Sequence, residues 1–166
     1  MTAVAAMFNM RRYYYQQMII EIYGGFIGVE LTLAERPGNA GLVQINVDIN
    51  IADTLWDNSY HAVFLSSDCL ECIFDGATIT YGHADQALIG NDMGTGVLIY
   101  GKGKFYNVIF ERNYASDPAA ALLSNGMAAK LNIENCIFRL ITFSLGRDVV
   151  TLNGAQMEFR GLKSIL

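Results

Sequence analysis

Three charged residues each follow a phenylalanine that ends a short apolar run: Asp75 after Phe74, Glu111 after Phe110 and Arg139 after Phe138. If the runs are copies of one unit, the three charges form one outward column of side chains. Two carboxylates and a guanidinium on a groove suit binding of Ca²⁺ and a uronic acid, with the arginine as proton acceptor or charge stabiliser. A carboxylate pair alone suits acid and base roles at a glycosidic bond. The same column also reads as a solvated charged edge that discourages strand association and carries no reaction.

A second set is aromatic. Tyr81, Tyr100, Tyr106 and Tyr114, with the run Tyr13-Tyr14-Tyr15, offer flat faces with polar edges for stacking against sugars. The alternative is that they are strand residues covering the core. Cys69-x-x-Cys72 has redox or zinc spacing, but it does not open a helix. Zinc would need two further ligands, and only Cys136, His61 and His83 remain. No metal site and no cofactor are therefore expected, with Ca²⁺ reserved for a lyase reading. Three cysteines make no disulfide framework, and Cys72 and Cys136 read as small buried apolar residues at equivalent repeat positions.

The elements that must position these residues repeat. Cys69–Phe74, Phe105–Phe110 and Ile133–Phe138 share one plan, and Gln156–Phe159 echoes it. The terminal phenylalanines are spaced by 36, 28 and 21 residues, which predicts rungs of twenty-odd residues with insertions at 90–96 and 114–118. Further strands are predicted at 61–65, 77–81, 97–100, 120–123 and 149–152, and the alternation of 42–51 predicts a half-buried strand. Several strands per rung without helical periodicity point to an all-β, single-stranded right-handed parallel β-helix over 23–166. Residues 1–22 are expected to be strands that cap it.

In this arrangement Phe74, Phe110 and Phe138 form a core column, each ring worth roughly 2–3 kcal/mol on burial. Asn107 and Asn135 turn corners, where asparagine tolerates left-handed backbone and its amide can bond the next rung. Ile73, Ile109 and Ile137 form an outward aliphatic stripe that calls for a covering loop or a partner.

Composition limits the function. The 166 residues suit one domain, and 52% hydrophobic against 16% charged content builds a large core. Sixteen glycines and two prolines suit many short strands. A net charge of −5 argues against nucleic acid and against an anionic membrane surface. No run approaches the roughly 20 apolar residues of a membrane helix. Arg11 and Arg12 follow the apolar start instead of preceding it, so no signal peptide is read in this chain.

Tyr23-Gly24-Gly25-Phe26, Gly28, Glu30 and Arg36 form a segment that resembles the YGGF-x-G-x-E…R segment of right-handed parallel β-helix repeat proteins of bacterial surfaces, the polymorphic outer-membrane protein type. Asp57–His61, Asp75–Thr80 and Gly82 resemble the first rung that follows in that group, and Asn135–Phe138 its rung repeat. The resemblance covers about 22–138. The group's Gly-Gly strand starts are half kept at Thr95-Gly96 and lost at Ala119–Ala121. The resemblance implies an extracellular or cell-surface location and a binding, adhesion or assembly role. Expected partners are a glycan or a surface protein, with self-association through an open solenoid end. An enzyme, a polysaccharide lyase or glycoside hydrolase using the acidic/Arg column, is the alternative.

Overall fold

The computed structural model describes residues 7–12, 18–37, 43–49, 51–52, 54, 56–85, 95–116, 121–144, 149–161 and 163–164. Of the predicted insertions, 90–94 and 117–118, like Tyr13–Tyr15, are not described, whereas Tyr114–Ala115 is a strand paired on both sides and not part of an inserted loop.

The regular structure of the described chain is short strands, apart from a 3-10 turn at Leu33–Glu35. Before the repeats come β1 (Met7–Arg12), β2 (Met18–Tyr23) and β3 (Gln44–Asn46). A first pass holds β4 (Val63–Leu65), β5 (Cys69–Asp75), β6 (Thr78–Thr80) and β7 (His83–Ala84). The second holds β8 (Val97–Ile99), β9 (Lys102–Tyr106), β10 (Ile109–Glu111) and β11 (Tyr114–Ala115). The third holds β12 (Leu122–Asn125), β13 (Lys130–Glu134), β14 (Ile137–Arg139) and β15 (Thr142–Phe143). The last holds β16 (Val150–Asn153), β17 (Gln156–Arg160) and β18 (Lys163–Ser164).

Strands from successive passes pair side by side into four sheets, ordered β1-β2-β5-β9-β13-β17, β18-β14-β10-β6-β3, β15-β11-β7 and β16-β12-β8-β4. Among the described residues no sheet closes on itself. Every pairing is parallel except β1 with β2, which is antiparallel and forms one edge of the first sheet. The fold is therefore all-β with parallel sheets, as the repeats predicted.

The register differs from the one the repeats suggested. Residues 74, 105, 133 and 159 share one position, so passes are 31, 28 and 26 residues long. Phe74 stacks on Phe105 with ring centroids 5.2 Å apart, and Phe110 stacks on Phe138 at 4.7 Å. A tilted Phe105–Phe110 contact at 5.6 Å joins the two pairs. Phe74 is thus not in the column of Phe110 and Phe138, whose partner in the first pass is Ile79. The first copy, Cys69–Phe74, is one long strand; the later copies cross a corner between two sheets. Two apolar runs ending in Phe look alike on paper whether or not a corner interrupts them. The same shift separates Ile73 from the aligned pair Ile109 and Ile137. Cys72 is aligned with Gly103, away from Cys136.

Corners are set by backbone conformation. Asn107 and Asn135 have φ of 53° each, as expected of turning asparagines, and Gly76 (77°) and Gly161 (60°) occupy the same corner in the first and last passes. Glycine and asparagine tolerate this left-handed region best. Asn107 does not bond the asparagine one pass away; its Nδ2 donates to Asp75 Oδ1 at 2.8 Å. The next corner is built by Tyr81 (68°), Arg112 (51°) and Leu140 (52°).

Two other expectations are corrected. Among the described residues of the strand predicted over 42–51, only Gln44–Asn46 form one. Beyond it, side chains take the backbone donors: Asn46 Oδ1 accepts from Asp48 N, Asn58 Oδ1 from Ile49 N and Asp57 Oδ2 from Ile51 N. Such local bonds compete with a ladder. Cys69 and Cys72 are joined as a disulfide. Residues three apart face opposite sides of a regular strand. Here Met18 pairs with Cys69 and Ile19 with Glu71, so Leu70 is an extra residue and both cysteines turn inward.

Candidate functional site: a polar groove across the stacked strands

Alternation along β9 and β13 buries Gly103, Phe105, Leu131 and Ile133 and turns Lys102, Lys104, Lys130 and Asn132 outward. Parallel pairing then sets these side chains in rows. Lys102, Lys130 and Gln156 form one row; Ile73, Lys104, Asn132 and Glu158 form the next. A third row holds Asp75, Tyr106, Glu134 and Arg160. The first two rows, without Ile73 and with Glu71, line a groove of about 340 Å³ together with Gly103, Leu131 and Met157.

The charges in the groove are unevenly matched. Lys104 Nζ donates to Glu71 Oε1 at 2.7 Å, and this bond holds its ammonium above the ordinary lysine range. Arg160 Nη2 donates to Glu158 Oε1 at 2.5 Å at the rim. Lys102 and Lys130 stand directly opposite each other on neighbouring strands, both exposed, and neither has an ion pair among the described residues. Asn132 Oδ1 is shielded from water and accepts no hydrogen bond among the described residues.

The residues singled out in the sequence are dispersed. Glu111 and Arg139 do share a register position, and Arg139 Nη2 donates to Glu111 Oε2 at 2.8 Å. Arg112 Nη1 lies 3.5 Å from the other oxygen. The residue aligned with them in the first pass is Thr80. Asp75 belongs to a different sheet, which corrects the expected column. It is buried at 9% exposure, ion-paired to Arg36 and bonded by Asn107. Arg36 Nη1 also donates to the carbonyls of Gly24 and Asp75, and Gly24 N donates to Asp75 O at 2.7 Å. Asp75 thus fastens the Tyr23–Arg36 segment to the first pass, and it is shielded from any substrate.

The tyrosines do not make one platform. Tyr81 is buried at a corner under Arg112, whose guanidinium lies 5.6 Å from the ring centre. Tyr100 contacts Phe64 with ring centroids 5.8 Å apart. Tyr106 ends β9 in the third row, beside the groove and not in its lining. Tyr114 stacks on His83 at 4.6 Å in the three-stranded sheet.

No group of three or more His, Cys, Asp or Glu able to hold a metal ion occurs among the described residues. No helix among them is long and apolar enough to cross a membrane. Burial pushes the Cys136 thiol up to about 11.

The groove itself is not among the sequence candidates. Its signal is the triplet polar-apolar-polar at Lys130-Leu131-Asn132 and Gln156-Met157-Glu158, with Lys102-Gly103-Lys104 beside them. The first and the last-named triplets, at Lys130 and Lys102, precede the segments that the phenylalanine repeats emphasise, and the one at Gln156 lies within the weakest echo. In comparisons with known proteins, no family model, curated protein or solved structure matches the chain.

Proposed function

We propose that this chain is a right-handed parallel β-helix acting as a non-catalytic binding module of a secreted or cell-surface protein, with a glycan or surface protein as its ligand. The observation that carries the reading is the groove across β5, β9, β13 and β17, where polar side chains from successive passes line up in rows on a rigid face. A repeating row of polar groups suits an extended ligand lying across the strands, since each strand presents equivalent groups about 4.8 Å further on. The repeated order of four parallel pairings supports the coiled path of the chain. Extracellular placement rests on the Tyr23–Arg36 segment and its resemblance to surface proteins.

A lyase or glycosidase finds less support. Its two carboxylates would have to meet at one bond, whereas Asp75 is enclosed by Arg36 and Asn107 and Glu111 lies on another sheet with Arg139. A glycan array probed with wild type and Asn132→Trp, together with a reducing-end release assay, tests the proposal. Expected are binding that the tryptophan abolishes and no release of reducing ends. Sustained release that Glu111→Gln or Arg139→Gln removes would replace the binding module with an enzyme.

A further inference from the structure

Lys102 and Lys130 present an electrostatic problem that the protein alone leaves unsolved. They are in-register neighbours on adjacent parallel strands, and like charges so placed repel. The other cations of this face have carboxylate partners: Lys104 has Glu71, and Arg160 has Glu158. Glu71 precedes Cys72, the partner of Gly103, and so stands level with Lys102, but Lys104 already donates to its carboxylate; along β13 the acidic residue nearest Lys130 is Glu134, two rows away beside Arg160. With a net charge of −5 over the whole chain, two unneutralised lysines side by side on a groove are not explained by a general excess of base.

Resting on the binding-module reading, we infer that Lys102 and Lys130 are an anion-selecting pair, taking the carboxylate or sulfate of an oligosaccharide that lies across β9, β13 and β17. An anionic group between the two ammoniums turns their repulsion into two charge-assisted hydrogen bonds. Next to them, the amide side chains of Asn132 and Gln156 line the groove where hydroxyl groups would lie. Glu71 and Glu158 bracket the same groove, so a ligand charged at every unit would meet repulsion on both sides. Sparse charge set among hydroxyls is the chemistry of an acidic sugar. A phosphodiester chain carries its charges too densely for this lining.

The test uses the full chain with four fluorescent probes: an oligosaccharide bearing a single carboxylate among neutral units, its methyl ester, an oligosaccharide bearing a single sulfate among neutral units and a single-stranded DNA. The singly carboxylated or the singly sulfated sugar is expected to bind about ten-fold more tightly than the methyl ester, with affinity falling as NaCl rises. Lys102→Gln and Lys130→Gln should each remove most of that margin while leaving methyl-ester binding in place, and Arg112→Gln, on another sheet, should leave both unchanged. Which acidic probe binds identifies carboxylate or sulfate as the group selected. Equal affinity for acid and ester, or retained preference in both lysine variants, overturns the inference while the binding module stands. Tighter binding of the DNA overturns it in favour of a phosphate polymer. If none of the four probes binds and the glycan array is also blank, the inference and the binding reading fall together.

Discussion

Phe110 and Phe138 lie face to face, their ring planes 3° apart, because β10 and β14 hold them at one register position. Phe110 is fully enclosed, with Phe105 tilted against its other side, whereas Phe138 keeps 8% of its surface open. Truncating a buried Phe removes its transfer energy and leaves a cavity, together about 3–5 kcal/mol. Phe110→Ala is therefore expected to cost about that much and Phe138→Ala less, as read by urea unfolding. Equal costs would mean that the last passes pack as tightly as the middle ones.

Arg36 and Asp75 join the segment before the repeats to the first pass. Arg36 serves two carbonyls and a carboxylate at once, and its side chain is only 13% exposed. Removing one partner of such a pair strands the other, at a cost of about 3 kcal/mol. Arg36→Ala should lose about that much stability, and Arg36→Lys should recover little, since one ammonium cannot reproduce the planar fork. A lysine variant as stable as wild type would reduce the contact to simple charge attraction.

The corner formed by Gly76, Asn107, Asn135 and Gly161 gives a ranked prediction. A left-handed φ costs an ordinary side chain about 1 kcal/mol. Asn135→Ala is expected to lose about that, and Asn135→Gly almost nothing. Gly76→Ala must cost more, because the added Cβ also comes within 2.9 Å of the Gly24 carbonyl oxygen and 3.1 Å of Arg36 Nη1. Thermal unfolding of the three variants gives the order directly, and a harmless Gly76→Ala would contradict the close approach of the two segments.

What the sequence made legible follows from how far each signal reaches. Parallel repetition, an all-β fold and left-handed corners at Asn107 and Asn135 are carried by residue type and short spacing, and these can be read from the chain. The register is not, because Phe74 and Phe110 end identical-looking runs, and only the corner at Asn107, inside the second run, separates them. That single misalignment also placed Asp75 beside Glu111 and Cys72 beside Cys136. The disulfide escaped notice because the inward turn of Cys69 depends on the extra residue Leu70 in the pairing of β5 with β2. The groove lay unread because its rows come from strand ends matched across passes, a relation fixed only once the register is known.

Cysteine chemistry follows from the same packing. Cys136 is fully buried and its thiol is raised to about 11, so at pH 8 almost none is thiolate. Under native conditions iodoacetamide should label no cysteine. In denaturant without reductant it should label Cys136 alone, and after reduction all three. Mass spectrometry of tryptic peptides separates these states. Native labelling of Cys136 would contradict its enclosure between the sheets, and unreduced labelling of Cys69 would contradict the disulfide.

Glu30 supplies the last prediction, through the loop that precedes Arg36. Its carboxylate accepts from the backbone amides of Ile27 (2.8 Å), Gly28 (2.9 Å) and Val29 (3.0 Å), and these bonds, Ile27 foremost, hold it below the ordinary carboxylate range. A lowered folded value means that the loop's stabilisation is complete above the unfolded value, about pH 4.3, and is lost as the pH falls through the lower folded value. Ile27, Val29 and Leu31 point outward and give this part of the loop little apolar packing of its own. Amide hydrogen exchange at Ile27–Val29, corrected for intrinsic rate, should therefore be slow at pH 6 and accelerate as acid protonates Glu30. Glu30→Gln should exchange quickly at both pH values without changing global unfolding. Protection at pH 6 that survives in the glutamine variant would show that the neighbouring backbone holds this loop unaided.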